Sequence, residues 1–263
     1  MAGSPGKRPT SSTRFTTRFD RGTLTGSDTA KPDGEDPRFH GRRRGRKLRP
    51  GQERLLETYL PEIQVNAPSG DGPVVPGALF QPEMREVWLE IGFGAGEHLA
   101  WQAARNPDIG IIGAEPFLNG VARLLSEIAD ERPGNVRIHP DDVRPLLPRF
   151  IDASFARVFI LFPDPWPKLR HNRRRLINTQ LLDTLARLMR DGAELRVATD
   201  DQDYLVWILR HLQAHPDFSW SARRADDWRQ RPADWPDTRY EDKNRSGGPG
   251  PTFLRYTRNP RTG

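Results

Sequence analysis

Apolar residues along this chain follow two alternating rhythms. Compact runs, apolar at nearly every position and bounded by Gly, Pro or Asp, alternate with longer stretches whose apolar residues recur at helical spacing. Val87–Ile91, Ile109–Ala114, Val136–His139, Phe155–Phe162 and Ala193–Ala198 read as strands. Between and behind them, Glu97–Arg105, Leu118–Ala129, Val143–Phe150, Leu176–Met189 and Gln202–Ala214 read as helices, and Phe218–Arg223 and Thr252–Thr257 as two final strands. Ahead of this series stand a short helix over Gln52–Leu60 and a Pro/Gly-rich connector through Pro82. Regular β-α alternation with near-continuous apolar strands implies a parallel sheet covered by helices on both faces. No internal repeat is evident.

Residues 1–50 break the pattern. They are rich in Ser, Thr, Gly, Pro and Arg with few aliphatic side chains, so they cannot bury enough surface to order themselves alone. The expected organisation is therefore a flexible basic tail over 1–50, a helix and connector over 51–82, and an α/β domain over 83–259. The net charge of +6 belongs to that tail, which holds 13 Lys and Arg against 5 Asp and Glu, while the remainder holds 28 against 30. Any nucleic-acid reading of the domain must come from local clusters. With no cysteine among 263 residues, disulfides and thiolate metal sites are excluded. The six histidines are scattered, and no metal site is expected. No apolar run is long enough to span a membrane, and a cytoplasmic location is the default expectation.

Four clusters stand at the carboxyl ends of the expected strands, where open α/β sheets bind ligands. Glu90-Ile-Gly-Phe-Gly-Ala-Gly96 is a glycine turn opening a helix, and glycine permits both tight turning and close ligand approach. Glu90 argues against a pyrophosphate there, because a carboxylate would repel it; a ligand with a cationic end, such as a sulfonium carrying an α-amino group, suits it better. Glu115, ending the second strand, either accepts a pair of ribose hydroxyls or merely opens the next helix. Asp141-Asp142 follows the third strand and either meets an adenine edge or caps a helix near Val143.

The fourth cluster is the most distinctive. In Leu161-Phe-Pro-Asp-Pro-Trp-Pro-Lys168, three alternating prolines stiffen a loop that carries Asp164, Trp166 and Lys168. Arg170-His-Asn-Arg-Arg-Arg175 follows directly, with five potential cations counting His171, and is suited to phosphate contact or to a solvated helix face. Ala198-Thr-Asp200 ends a later strand, Asp200 being a candidate helix cap, and Thr238-Arg-Tyr-Glu241 lies in a polar stretch.

In this order the clusters resemble the bacterial tRNA (guanine-N7)-methyltransferase family over roughly residues 45–258; the proline-aspartate loop with its basic run is the specific part. The resemblance implies a class I, Rossmann-like methyltransferase fold: a mostly parallel seven-stranded sheet with helices on both faces and one antiparallel strand. It implies S-adenosylmethionine as methyl donor, tRNA as partner and the variable-loop guanine conventionally numbered 46 as target. Carried over by position, Glu90, Gly92, Glu115, Asp142 and Asp164 fall on donor contacts, with Asp164 also on the catalytic position. Lys168, Arg170, His171, Asn172, Arg173, Arg174, Arg175, Asp200, Thr238, Arg239, Tyr240 and Glu241 fall on tRNA contacts. Neither a metal nor an obligate protein partner is implied, and the expected state is a monomer or weak homodimer. Three departures stand out: Ala114 replaces a bulkier aliphatic residue, Asp141 competes with Asp142 as the third acid, and Arg239-Tyr240 replaces Lys-Phe. A nucleotide-dependent dehydrogenase shares the sheet and glycine turn, but Glu90 and the basic run oppose it.

Overall fold

The computed structural model describes residues 39–66, 72–236 and 250–262. All of them belong to one compact unit running from Pro37 to Gly263. Its centre is a seven-stranded sheet: β1 (Val87–Ile91), β2 (Gly110–Ala114), β3 (Val136–His139), β4 (Phe155–Leu161), β5 (Met189–Thr199), β6 (Phe218–Trp220) and β7 (Thr252–Arg258). The spatial order is β3-β2-β1-β4-β5-β7-β6. The pairs among β1 to β5 are parallel, and β7 lies antiparallel to both β5 and β6. This is the class I methyltransferase arrangement that the resemblance implies, including its single antiparallel strand.

Strand side chains alternate between the faces. Leu89 and Ile91 of β1, Val158 and Ile160 of β4, and Leu195 and Val197 of β5 form one core with α5 (Thr179–Leu188) and α6 (Gln202–Ala214). Trp88, Ile111, Val136 and Phe159 form the opposite core with α1 (Pro50–Thr58), α2 (Leu60–Ile63), α3 (Glu97–Arg105) and α4 (Leu118–Ile128). Glu90 shares the second face with Trp88, and this parity aims its carboxylate at α3. One further short helix, α7 (Asp226–Arg229), precedes β7.

Four expected elements differ: the strand expected over Phe218–Arg223 ends at Trp220, and three others depart for a local reason. Val143–Phe150 is not a helix: Pro145 and Pro148 remove amide donors, and only a 3-10 turn over Leu147–Arg149 forms. The helix expected from Leu176 starts at Thr179, because the Asn178 side chain caps it by accepting the Leu181 amide at 2.9 Å. β5 begins at Met189 rather than Ala193, bending through Gly192 at φ 78°. The cap of α6 is Asp201, which accepts the Tyr204 amide at 2.7 Å, and not Asp200. Among the described residues, no helix is long and apolar enough to cross a membrane.

Candidate active site

The sheet order reverses between β1 and β4: from β1 the chain steps outward through β2 and β3, then returns to place β4 on β1's other side. A cleft of about 870 Å³ opens at that switch point, within the size range of small-molecule sites. Its walls are the carboxyl ends of four strands: Glu90 to His98 after β1, Ala114 to Phe117 after β2, Asp141 to Arg144 after β3, and Leu161 to Asp164 after β4. The clusters at those four strand ends are thus gathered around one cavity.

The glycine turn is left-handed at Gly92, Gly94 and Gly96, with φ of 76°, 57° and 81°. A Cβ on Gly92 or Gly94 would meet nothing within 4 Å, so this backbone faces open space in the cleft. Gly120 serves the other side of the turn. A side chain there would strike the Gly94 carbonyl, so its absence lets α4 pack against the loop.

The acids of the cleft differ in what they already hold. Glu115 Oε2 accepts the Gly94 amide at 2.7 Å and its Oε1 accepts the Phe117 amide at 2.8 Å, so Glu115 braces the glycine turn. Burial raises its pKa, helped by the like charges of Asp164 and Glu90 and opposed by those two amides. Glu90 Oε2 is taken by His98 Nδ1 at 2.7 Å. Asp142 is gripped by Arg144, whose Nε lies 3.0 Å from both carboxylate oxygens, and Asp141 pairs with Arg43. Asp164 is different: exposed at the lip of the cleft, it makes no hydrogen bond or ion pair with any described residue.

The loop carrying Asp164 is braced from two sides. The Phe162 amide extends the β4–β5 ladder by donating to the Ala198 carbonyl at 2.8 Å, with Phe162 itself left-handed at φ 50°. Trp166 is also left-handed, at φ 47°. Non-glycine residues held in that region cost of order 1–3 kcal/mol each, and such outliers cluster at functional sites. Arg175 supplies the second brace. Buried at 2% exposure, it donates from Nε to the Pro165 carbonyl at 2.8 Å, pairs with Asp203, and lies over the Tyr204 and Trp207 rings. Its expected role at the RNA surface is therefore corrected: the guanidinium is spent inside the protein.

The rest of the run does face outward. Residues Leu169–Arg174 form a 3-10 helix on which Arg170 and Arg173 are exposed, as is Lys168 before it. His171 and Asn172 are half-buried, and Arg174 stacks its guanidinium 5.0 Å above Trp166 at the cleft wall. Partial desolvation, then the charges of Arg174, Arg170, Lys168 and Arg173, hold the His171 imidazole below its ordinary pKa. The neighbouring cations thus disfavour a fifth positive charge in the run. Asp200 lies just past the carboxyl end of β5. Thr238, Arg239, Tyr240 and Glu241 lie outside the described residues.

No sequence pattern announces the path of residues 39–47. Phe39, His40, Gly41 and Arg42 line the cleft, and the segment is tied to the start of α4: the Leu118 amide donates to Arg43, the Gly45 amide donates to Asn119 Oδ1, and Asn119 Nδ2 donates to Arg46. The only hint in the sequence is compositional, a dense basic stretch ending directly before the first helix.

A family model described as "Putative methyltransferase" matches residues 84–252. The chain is similar to the tRNA (guanine-N(7)-)-methyltransferase of Rhodospirillum rubrum, 50% identical over 229 residues that cover 86% of this chain and 90% of that one. It is similar as well to the proteins of the same name from Paramagnetospirillum magneticum and from a Chelativorans species. The first is 52% identical over 228 residues, covering 86% of this chain and 95% of its own. The second is 42% identical over 227 residues, covering 86% and 97%.

Proposed function

The chain belongs to the tRNA (guanine-N7)-methyltransferase family, and from that premise we propose that it methylates N7 of the variable-loop guanine numbered 46 in tRNA, with S-adenosylmethionine as donor. The cleft fits that donor. Open space stands over Gly92 and Gly94, and Glu90 keeps Oε1 for the α-amino group. Glu115 would take the ribose hydroxyls on lone pairs its two backbone amides leave over. Because Asp142 is already clasped by Arg144, the adenine edge would meet the 141–143 turn chiefly through its backbone.

Guanine N7 carries an in-plane lone pair and no proton. Its attack forms the N–CH₃ bond as the C–S bond breaks; the electron pair leaves with sulfur, and positive charge passes to the purine. No strong general base is required, so the protein's task is alignment and charge management. One observation carries the assignment of that task to Asp164: alone among the cleft acids it pairs with no described residue, and it stands between the donor cleft and the exposed cations at 168–174. A fixed carboxylate there stabilises the purine as it becomes cationic, and the cations hold the tRNA backbone. Incubating bulk tRNA with isotopically labelled S-adenosylmethionine and digesting to nucleosides tests the reading. Label is expected in 7-methylguanosine; label in another nucleoside, or none, refutes it.

A further inference from the structure

Resting on that reading of the cleft as a donor site, a buried relay behind Glu90 carries a second assignment. Glu90 and His98 are 2% and 3% exposed, and His98 Nδ1 lies 2.7 Å from Glu90 Oε2. Gln102, one turn further along α3, settles which ring nitrogen holds the proton. Its Nε2 lies 2.8 Å from the Asp234 carbonyl and 3.1 Å from His98 Nε2. Reversing the amide would bring two carbonyl oxygens together, so Gln102 Nε2 donates to both neighbours. His98 Nε2 therefore accepts, and the proton sits on Nδ1, donated to Glu90.

The ring is also locked sterically. Phe159 of β4 lies 4.7 Å from it at 65°, and Trp235 lies 5.1 Å away at 52°. Asp234, whose carbonyl anchors the relay, is itself held through its carboxylate by Arg196 Nη2 at 2.7 Å. The imidazole can neither swing away nor exchange tautomers without breaking a buried hydrogen bond. Glu90 thus has one oxygen fixed from behind, while its other, Oε1, makes no hydrogen bond to a described residue and is left for the cleft.

We propose that His98 is a positioning residue for methyl-donor binding: by clamping Glu90 Oε2 from α3 it sets Oε1 toward the cationic α-amino end of the donor. Such a residue acts on one end of the ligand only. Its removal should weaken ligands that carry the amino-acid end and spare those that lack it.

The test is calorimetric titration of the full chain with S-adenosylhomocysteine and with 5′-methylthioadenosine, which keeps the nucleoside but has no amino acid. His98→Phe keeps the ring packed between Phe159 and Trp235 but removes both nitrogens. His98→Asn restores an N–H near the position of Nδ1. In His98→Phe, affinity for S-adenosylhomocysteine should fall about tenfold to a hundredfold, the worth of a hydrogen bond to a charged group, while methylthioadenosine binds as in the unsubstituted protein. His98→Asn should recover most of that affinity. Equal weakening of both ligands in His98→Phe overturns the proposal by making the effect structural, as does no weakening of either or a failure of His98→Asn to rescue. An unsubstituted protein that binds neither ligand would instead overturn the donor-site reading on which the proposal rests.

Discussion

Asp164 and Glu115 show how two carboxylates in one cleft are given different work by their surroundings. Asp164, exposed and paired with no described residue, is free to answer charge appearing on a substrate. Asp164→Asn should therefore lower the single-turnover methylation rate by about 10²-fold, the usual scale for removing one fixed electrostatic contact, and leave tRNA affinity unchanged. Rapid-quench kinetics with a filter-binding control reads both quantities, and a near-normal rate would remove Asp164 from the chemistry. Glu115 holds two backbone amides yet has its pKa raised by burial. On the proposed reading its ionised form accepts the ribose hydroxyls, and that form is fully present only above the raised value. Donor affinity should accordingly weaken as pH falls through it, and Glu115→Gln should abolish that part of the profile in pH-dependent calorimetry. A profile identical in the two proteins would take Glu115 out of donor binding.

At the scale of elements, the loop and 3-10 helix over 162–175 act as a unit with a buried foot and a charged upper face. Replacing Lys168, Arg170 and Arg173 with alanine should weaken tRNA binding and flatten its dependence on log salt, by about 0.7–0.9 for each phosphate no longer neutralised. Arg175→Met should do the reverse. It should leave the salt slope intact but destabilise the fold by about 1–3 kcal/mol, since the Pro165 carbonyl is left without its donor while Asp203, largely exposed, is easily resolvated. Chemical denaturation together with salt-dependent binding separates the two variants. That contrast marks where the sequence stops being legible. A run of like residues reads as one function, but the direction of each side chain depends on where the chain crosses the fold, and Arg175 turns inward onto Tyr204 and Trp207. Strand positions and the glycine turn are readable because compact apolar runs and glycine's left-handed geometry act locally. The false helix at 143–150 is equally local in origin: its apolar spacing is real, but Pro145 and Pro148 deny it hydrogen bonds. The His98–Glu90 contact needs the sheet's parity and the turn into α3 to bring together side chains on two different elements.

At the scale of the whole molecule, six acids line the cleft and two exposed cationic segments adjoin it. Residues 51–263 are slightly acidic overall, yet Lys168, Arg170 and Arg173 within them are exposed, as are Arg42, Arg44, Arg46 and Lys47 of the preceding basic stretch. Both cationic segments adjoin the cleft, His40 meeting Trp166 edge-on at 6.3 Å and Arg42 lining the wall. A polyanion held by both would present a base over Asp164, in reach of a donor bound against the glycine turn. The most direct measurement compares methyl transfer to a tRNA carrying guanine at position 46 with transfer to the same tRNA carrying 7-deazaguanine there, where a C–H replaces the nucleophilic nitrogen and the Watson–Crick edge is kept. Full incorporation into the first and none into the second is the predicted result; comparable methylation of both would contradict the account.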